Sequence, residues 1–241
     1  MQTDVLEKST LITPYANPKK LVEIILSILN FILGSIINNI NKKTKTNTLV
    51  FLGPSGVGKD TIINMLIKKY PKIFYKLISF TTRKIRKEEK EGVDYFYITK
   101  DKFKEMKNEN QLFGILEYND NSYASNKSEL EKLINKGEQI IILNYNIETA
   151  NKVKDDFDFN FIALLPPNEK ELRHRLEIRG TKPEEMEKRM KNSIKEIKLI
   201  NEANYIQSRF VNDEINECFT KVENHIKKLY PDFFREEKII N

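Results

Sequence analysis

The chain has 241 residues, 32% charged and 39% hydrophobic, which is enough for one full α/β core with an appendage and excludes a wholly disordered protein. Its 41 basic and 35 acidic residues leave a formal charge of +6, which suits small acidic ligands; the even mixing of signs argues against nucleic acid as a partner. A single cysteine, Cys218, excludes an internal disulfide and fits a reducing, cytoplasmic compartment, and it reads as a small apolar residue of the last long helix.

In chain order, residues 1–46 form an extension unlike the rest: a polar start with Pro14 and Pro18, an apolar stretch at 21–40, then Asn41-Lys42-Lys43-Thr44-Lys45. Within 21–40, Glu23, Ser27, Asn30, Gly34 and Asn38 recur every three or four positions and trace a polar stripe on a hydrophobic helix. The stretch is long enough to cross a bilayer, but Asn30 and Glu23 make such a span marginal. Three fates are open to it: membrane contact, docking on the domain or a partner helix, or removal as a targeting segment. If it inserts, the following lysines favour a membrane-associated domain on the cytoplasmic side. A boundary is expected near Thr46, with one domain over 47–232 and a tail at 233–241; the chain does not distinguish monomer from dimer.

From Thr48 onward strands are expected at 48–52, 77–80, 95–98, 112–118, 139–144, 159–165 and 206–211. Helices are expected at 61–70, 100–107, 128–135, 148–155, 169–178, 183–204 and 215–229. This alternation is the pattern of a parallel sheet wrapped by helices.

The first strand runs into Gly53-Pro54-Ser55-Gly56-Val57-Gly58-Lys59-Asp60-Thr61, which has the spacing of a phosphate-binding loop between strand and helix. The glycines let successive N–H groups and the helix N-terminus face phosphate oxygens, and Lys59 adds a mobile positive charge. Asp60 stands where such loops place a Ser or Thr hydroxyl on magnesium. A carboxylate there either ligates the metal as a hard oxygen or repels the triphosphate.

Arginines follow in two groups. Arg83 and Arg86 lie three apart after the second strand, and Arg175 and Arg179 lie one helical turn apart, with Arg189 beyond Gly180 and Pro183. Forked guanidinium groups grip phosphate bidentately, so each set reads either as an anion clamp or as a solvated basic face. His174 reads as a surface residue, His225 has no visible partner, and no zinc or nucleophile-triad pattern occurs.

Ser79-Phe80-Thr81-Thr82-Arg83-Lys84-Ile85-Arg86, Gly92-Val93-Asp94-Tyr95, Tyr123-Ala124-Ser125, Pro166-Pro167-Asn168, Arg175-Leu176-Glu177-Ile178-Arg179-Gly180 and Val211-Asn212-Asp213 stand in one order after the loop. In this combination, over about residues 47–231, the chain resembles the guanylate kinase family. The resemblance implies a three-layer α/β P-loop fold with a parallel core sheet, a small GMP-binding subdomain at about 79–126 and a helical lid at about 170–195. It implies ATP and GMP as substrates and Mg2+ as cofactor. Gly53, Ser55, Gly56, Val57, Gly58, Lys59, Asp60, Thr61, Asn212 and Asp213 would then hold ATP, and Lys59, Arg86, Arg175, Arg179 and Arg189 would stabilise the transfer. Ser79, Arg83, Arg86, Tyr95, Glu117, Tyr123, Ser125 and Asn144 would bind GMP, with Asp60 the candidate metal ligand.

The chain departs from the family at Asp60, at Asn144 and Asn146 in place of two aspartates, and at Ala124 in place of glycine. The family's base-reading glutamate falls on Gly114 without a gap and on Glu117 if the following loop is three residues shorter; Glu117 is taken as the reader. Two rivals follow from these departures: a catalytically weak or inactive nucleotide- or protein-binding module, and a monophosphate kinase of different base specificity. Retention of Lys59 and the lid arginines favours an enzyme.

Overall fold

The computed structural model describes residues 26–29, 45–87, 89–118 and 120–235. The chain divides into two compact units, Met1–Lys43 and Thr44–Asn241. Of the expected helix at 21–40, residues 26–29 are helical, with Leu26, Ile28 and Leu29 exposed; the remainder lies outside the described residues. Among the described residues no helix is long and apolar enough to cross a membrane.

The larger unit is built on a five-stranded parallel sheet of β1 (Lys45–Leu52), β2 (Phe74–Lys76), β7 (Ile140–Asn144), β8 (Asp158–Leu165) and β9 (Ser208–Val211). The strand order is β2-β7-β1-β8-β9. Leu49, Val50, Phe51 and Leu52 are all fully buried, as a central strand covered on both faces requires. Successive side chains of a strand point to opposite faces, and the core divides accordingly. Leu49, Phe51, Ile140, Ile142, Ile162 and Leu164 pack on one side with α1 (Lys59–Lys69) and α7 (Ile215–Leu229). Val50, Leu52, Ile141, Leu143, Phe161 and Ala163 pack on the other with α3 (Lys127–Lys136), α4 (Ile147–Val153) and the end of α6 (Pro183–Glu202). The three-layer α/β fold with a parallel core sheet is therefore as expected.

A second, mixed sheet of order β4-β3-β6-β5 comprises β3 (Phe80–Thr81), β4 (Phe96–Tyr97), β5 (Leu112–Tyr118) and β6 (Asn121–Asn126). Phe103 and Met106 of α2 (Lys100–Asn108) close its own small core with Leu112 and Ala124. A third cluster, Leu172, Leu176, Met186 and Met190, joins α5 (Glu169–Ile178) to α6.

Three expectations are corrected. The apolar run at 77–80 is not one strand: the chain leaves the core sheet after β2 and enters the second sheet at β3, so the run spans a change of sheet. Residues 121–126, for which no strand is expected, form β6, held by ladders to both β3 and β5. His225 has a partner, the Ser208 hydroxyl at 2.9 Å from Nε2.

Candidate active site

The carboxyl ends of the parallel strands converge where open α/β sheets bind ligands. The 53–58 loop follows β1, and Asn144 ends β7 opposite Phe51. The Asn212 N–H, just past β9, bonds Leu165 O at 2.8 Å and so brings the 212–213 turn to the same edge.

Helix α1 starts from Gly58 in the left-handed conformation with no side-chain cap, whereas Thr99, Asn126, Asn146 and Asn168 cap α2, α3, α4 and α5. Its first N–H groups are therefore left for an anion, at the positive end of the helix dipole. The Lys59 ammonium donates to the carbonyls of Gly53 and, at 3.2 Å, Pro54. Burial lowers the Lys59 ammonium; Glu196 and Asp60 act against that, and Arg179 adds to it. Ser55, Asp60 and Thr61 are exposed, Gly56 and Gly58 half-buried and Val57 buried.

Asn212 is buried and donates its amide to Val57 O at 2.8 Å, bracing the loop from behind. Arg175 is held at this brace: its Nη1 bonds Asn212 O at 2.9 Å, its Nη2 bonds Asp213 O at 3.1 Å and its Nε bonds Glu171 at 2.7 Å. Arg175 was expected beside Arg179 and Arg189; its guanidinium is instead bound to the turn that supports the loop.

Arg179 ends α5 and acts on Lys59, while Arg189 on α6 acts on Arg86. Arg189 is also tied to Glu185 at 2.9 Å. Arg86 is lowered by burial first and then by Arg83, with Arg189 adding to the shift and Glu89 acting against it. α5 and α6 thus each contribute a cation whose charge is felt in this region, Arg179 at Lys59 and Arg189 at Arg86.

Arg83 forms a fork with Glu89, two bonds of 2.8 Å, and its guanidinium lies over the Tyr95 ring at 5.3 Å and the Tyr97 ring at 5.7 Å. Tyr95 and Tyr123 meet edge to face at 5.9 Å. Glu89 went unnoticed in the sequence, where it is one acidic residue in a mixed charged run. Its carboxylate organises this corner, accepting from Arg83, from the Arg86 N–H at 2.9 Å and from the Tyr97 hydroxyl at 2.8 Å. Burial pushes the Glu89 carboxyl up, but these bonds outweigh it and hold it down at about 2. A carboxyl lowered from 4.5 to about 2 stabilises the fold above pH 4.5 and loses that contribution as pH falls toward 2. Glu89→Gln is therefore expected to flatten acid unfolding across that window, measured by circular dichroism against pH. An unchanged profile would show that the fork adds nothing.

Of the other acceptor candidates, Ser79 and Ser125 Oγ lie 3.3 Å apart and share a face of the second sheet with Tyr123. Glu117 is not brought to them. It pairs with Ser122, whose hydroxyl it accepts at 2.9 Å, while its neighbour Leu116 pairs with Tyr123; alternation puts Glu117 on the opposite face. That corrects the expectation that Glu117 reads the base.

Asn144 donates its amide to Asp60 Oδ1 at 2.9 Å, and Lys76 Nζ lies 3.9 Å from the same carboxylate. Asn146 is engaged as the cap of α4, accepting from Thr149 N at 2.8 Å. Among the described residues no group of three or more His, Cys, Asp or Glu side chains could cage a metal. The hard oxygens of Asp60 and Asn144, beside a phosphate-binding loop, still fit a magnesium ion that keeps waters and shares phosphate ligands.

The guanylate kinase family model matches residues 45–229. A guanylate kinase from Clostridium perfringens is 37% identical over 190 residues, covering 78% of this chain and 86% of that protein. One from Malacoplasma penetrans is 35% identical over 187 residues, covering 76% and 93%. The crystal structure of guanylate kinase from Anaplasma phagocytophilum superposes with a TM-score of 0.61 at 25% identity, covering 78% of this chain and 87% of that one.

Proposed function

The chain belongs to the guanylate kinase family, and we propose how its own residues divide the transfer of a phosphoryl group from ATP to GMP, giving ADP and GDP. The reaction brings two anions together and spreads charge over the moving group, so positioning and electrostatic stabilisation dominate. The 53–58 loop and the start of α1 hold the triphosphate, and Lys59 exchanges its loop carbonyls for phosphate oxygens. Asn212 and Asp213 border the nucleoside of ATP, with Arg175 fixing their turn. Arg83, Arg86, Tyr95 and Tyr123 take the acceptor phosphate, and Ser79 and Ser125 take its base. Arg179 and Arg189 close from the lid on the transferring group.

The observation that carries this reading is the placement of the lid cations, Arg179 acting on Lys59 and Arg189 on Arg86. Burial lowers both Lys59 and Arg86, and a lid cation adds to each shift, an arrangement that an anion bound between them would relieve. A bisubstrate compound joining adenosine and guanosine through a polyphosphate is expected to bind at least about 100-fold tighter than ATP or GMP alone. Calorimetric titration giving no gain would refute a shared site.

Bound magnesium would supply charge neutralisation at the phosphates, and Asp60 would hold it, oriented by Asn144. Asp60→Ser is expected to weaken MgATP about 10-fold, or about 1.4 kcal/mol, while leaving ATP without metal unchanged. Tighter MgATP binding in the variant would show that Asp60 repels the triphosphate. Cytoplasmic placement belongs to the same proposal, supported by Cys218 being a buried, unpaired thiol, and so does a single domain near the expected 47–232, widened to take in the start of β1 at Lys45 and the core residue Phe234.

A further inference from the structure

A chain of hydroxyls runs from the second sheet to the core sheet. Ser79 Oγ lies 3.3 Å from Ser125 Oγ, which lies 2.8 Å from the Tyr145 hydroxyl. Ser125 is fully buried and Tyr145 nearly so, and the Tyr145 ring packs in the core while its N–H bonds Phe51 O. Facing the ring, β5 breaks register between Phe113 and Leu116. Gly114 sits in this bulge with φ +65°, where a Cβ would lie 3.0 Å from Tyr145 Oη and 3.2 Å from Thr149 Cγ2. Lys152 of α4 fixes the bulge through Ile115 O at 3.0 Å. The phenol therefore closes position 114 to any side chain and sets its own oxygen where a β5 side chain would start.

Resting on the reading of Ser79 and Ser125 as acceptor residues, we infer that the Tyr145 hydroxyl, made possible by Gly114, reads the acceptor base in place of a carboxylate. The site then takes 6-oxopurine monophosphates whether or not they carry a 2-amino group, IMP as well as GMP. A carboxylate offers two oxygens to the adjacent N1–H and N2–H donors of guanine, whereas a phenol oxygen already bonded to Ser125 has room for one. N1–H is common to both bases, so the 2-amino group finds no dedicated partner. Burial pushes the Tyr145 hydroxyl up, with only the Ser125 bond acting against it, and it stays neutral.

The test uses the full chain with MgATP and either GMP or IMP. The expected kcat/KM values differ by no more than about tenfold, the scale of one net hydrogen bond. Tyr145→Phe should raise both KM values together with kcat unchanged, and lower the melting temperature by no more than a few degrees, the scale of one buried hydrogen bond. A preference for GMP above tenfold, or KM values indifferent to Tyr145→Phe, overturns the inference. Failure of the kinase reading itself would appear as no turnover with either acceptor. Calorimetric Kd values for GMP and IMP, with and without Tyr145→Phe, then decide the inference by the same limits.

Discussion

Lys59→Ala is expected to lower kcat by about 10³-fold while leaving the folded state intact. The lysine is the cation nearest the loop, and removing one preorganised group that meets developing charge typically costs 10²- to 10³-fold. Stability should hardly change, because the lost bonds to the Gly53 and Pro54 carbonyls are offset by relief of a cation that burial and Arg179 both disfavour. Steady-state rates with matched thermal melts check both halves. A loss of tenfold or less would remove Lys59 from the transfer step.

Gly53→Ala is expected to be the most damaging small substitution to the fold. Gly53 has φ +140°, a conformation that costs an L-residue about 1–3 kcal/mol. Its Cβ would also stand 2.3 Å from Leu164 O and 3.0 Å from Val57 Cγ1. Leu164 is fully buried in β8, paired with Phe210, so the clash is with sheet backbone that no rotamer change relieves. Strain and clash together predict a loss of at least about 3 kcal/mol, or roughly 10 °C in Tm for a domain of this size. Urea unfolding of the variant beside the parent measures it. A shift below about 1 kcal/mol would mean that the loop can reseat away from β8.

The elements most legible in the sequence are those whose period survives without tertiary help. α7 matches its expected bounds because Cys218, Phe219, Val222 and Ile226 recur at helical spacing and all face the core. β6 was illegible because its six residues carry no apolar alternation and are strand only through their partners. The loop and both arginine groups stand out locally, since spacing alone brings phosphate chemistry to mind. Glu89 and Tyr145 do not: Glu89 is one acidic residue in a mixed charged run whose partners are set by the turn, and Tyr145 meets Ser125 twenty positions back and Gly114 across a bulge. Glu117 misled for the same reason, since the face of a residue after a bulge depends on a register that only the paired strand sets.

The central claim is that Lys59, Arg86, Arg179 and Arg189 work as one site for phosphoryl transfer between two nucleotides. Its most direct test is ADP and GDP formation by the purified chain with MgATP and GMP, run beside Lys59→Ala and Arg86→Ala. The account predicts ADP and GDP in equal amounts, with turnover lost in either variant. ADP formed without GDP, or GDP formation indifferent to both substitutions, would contradict it.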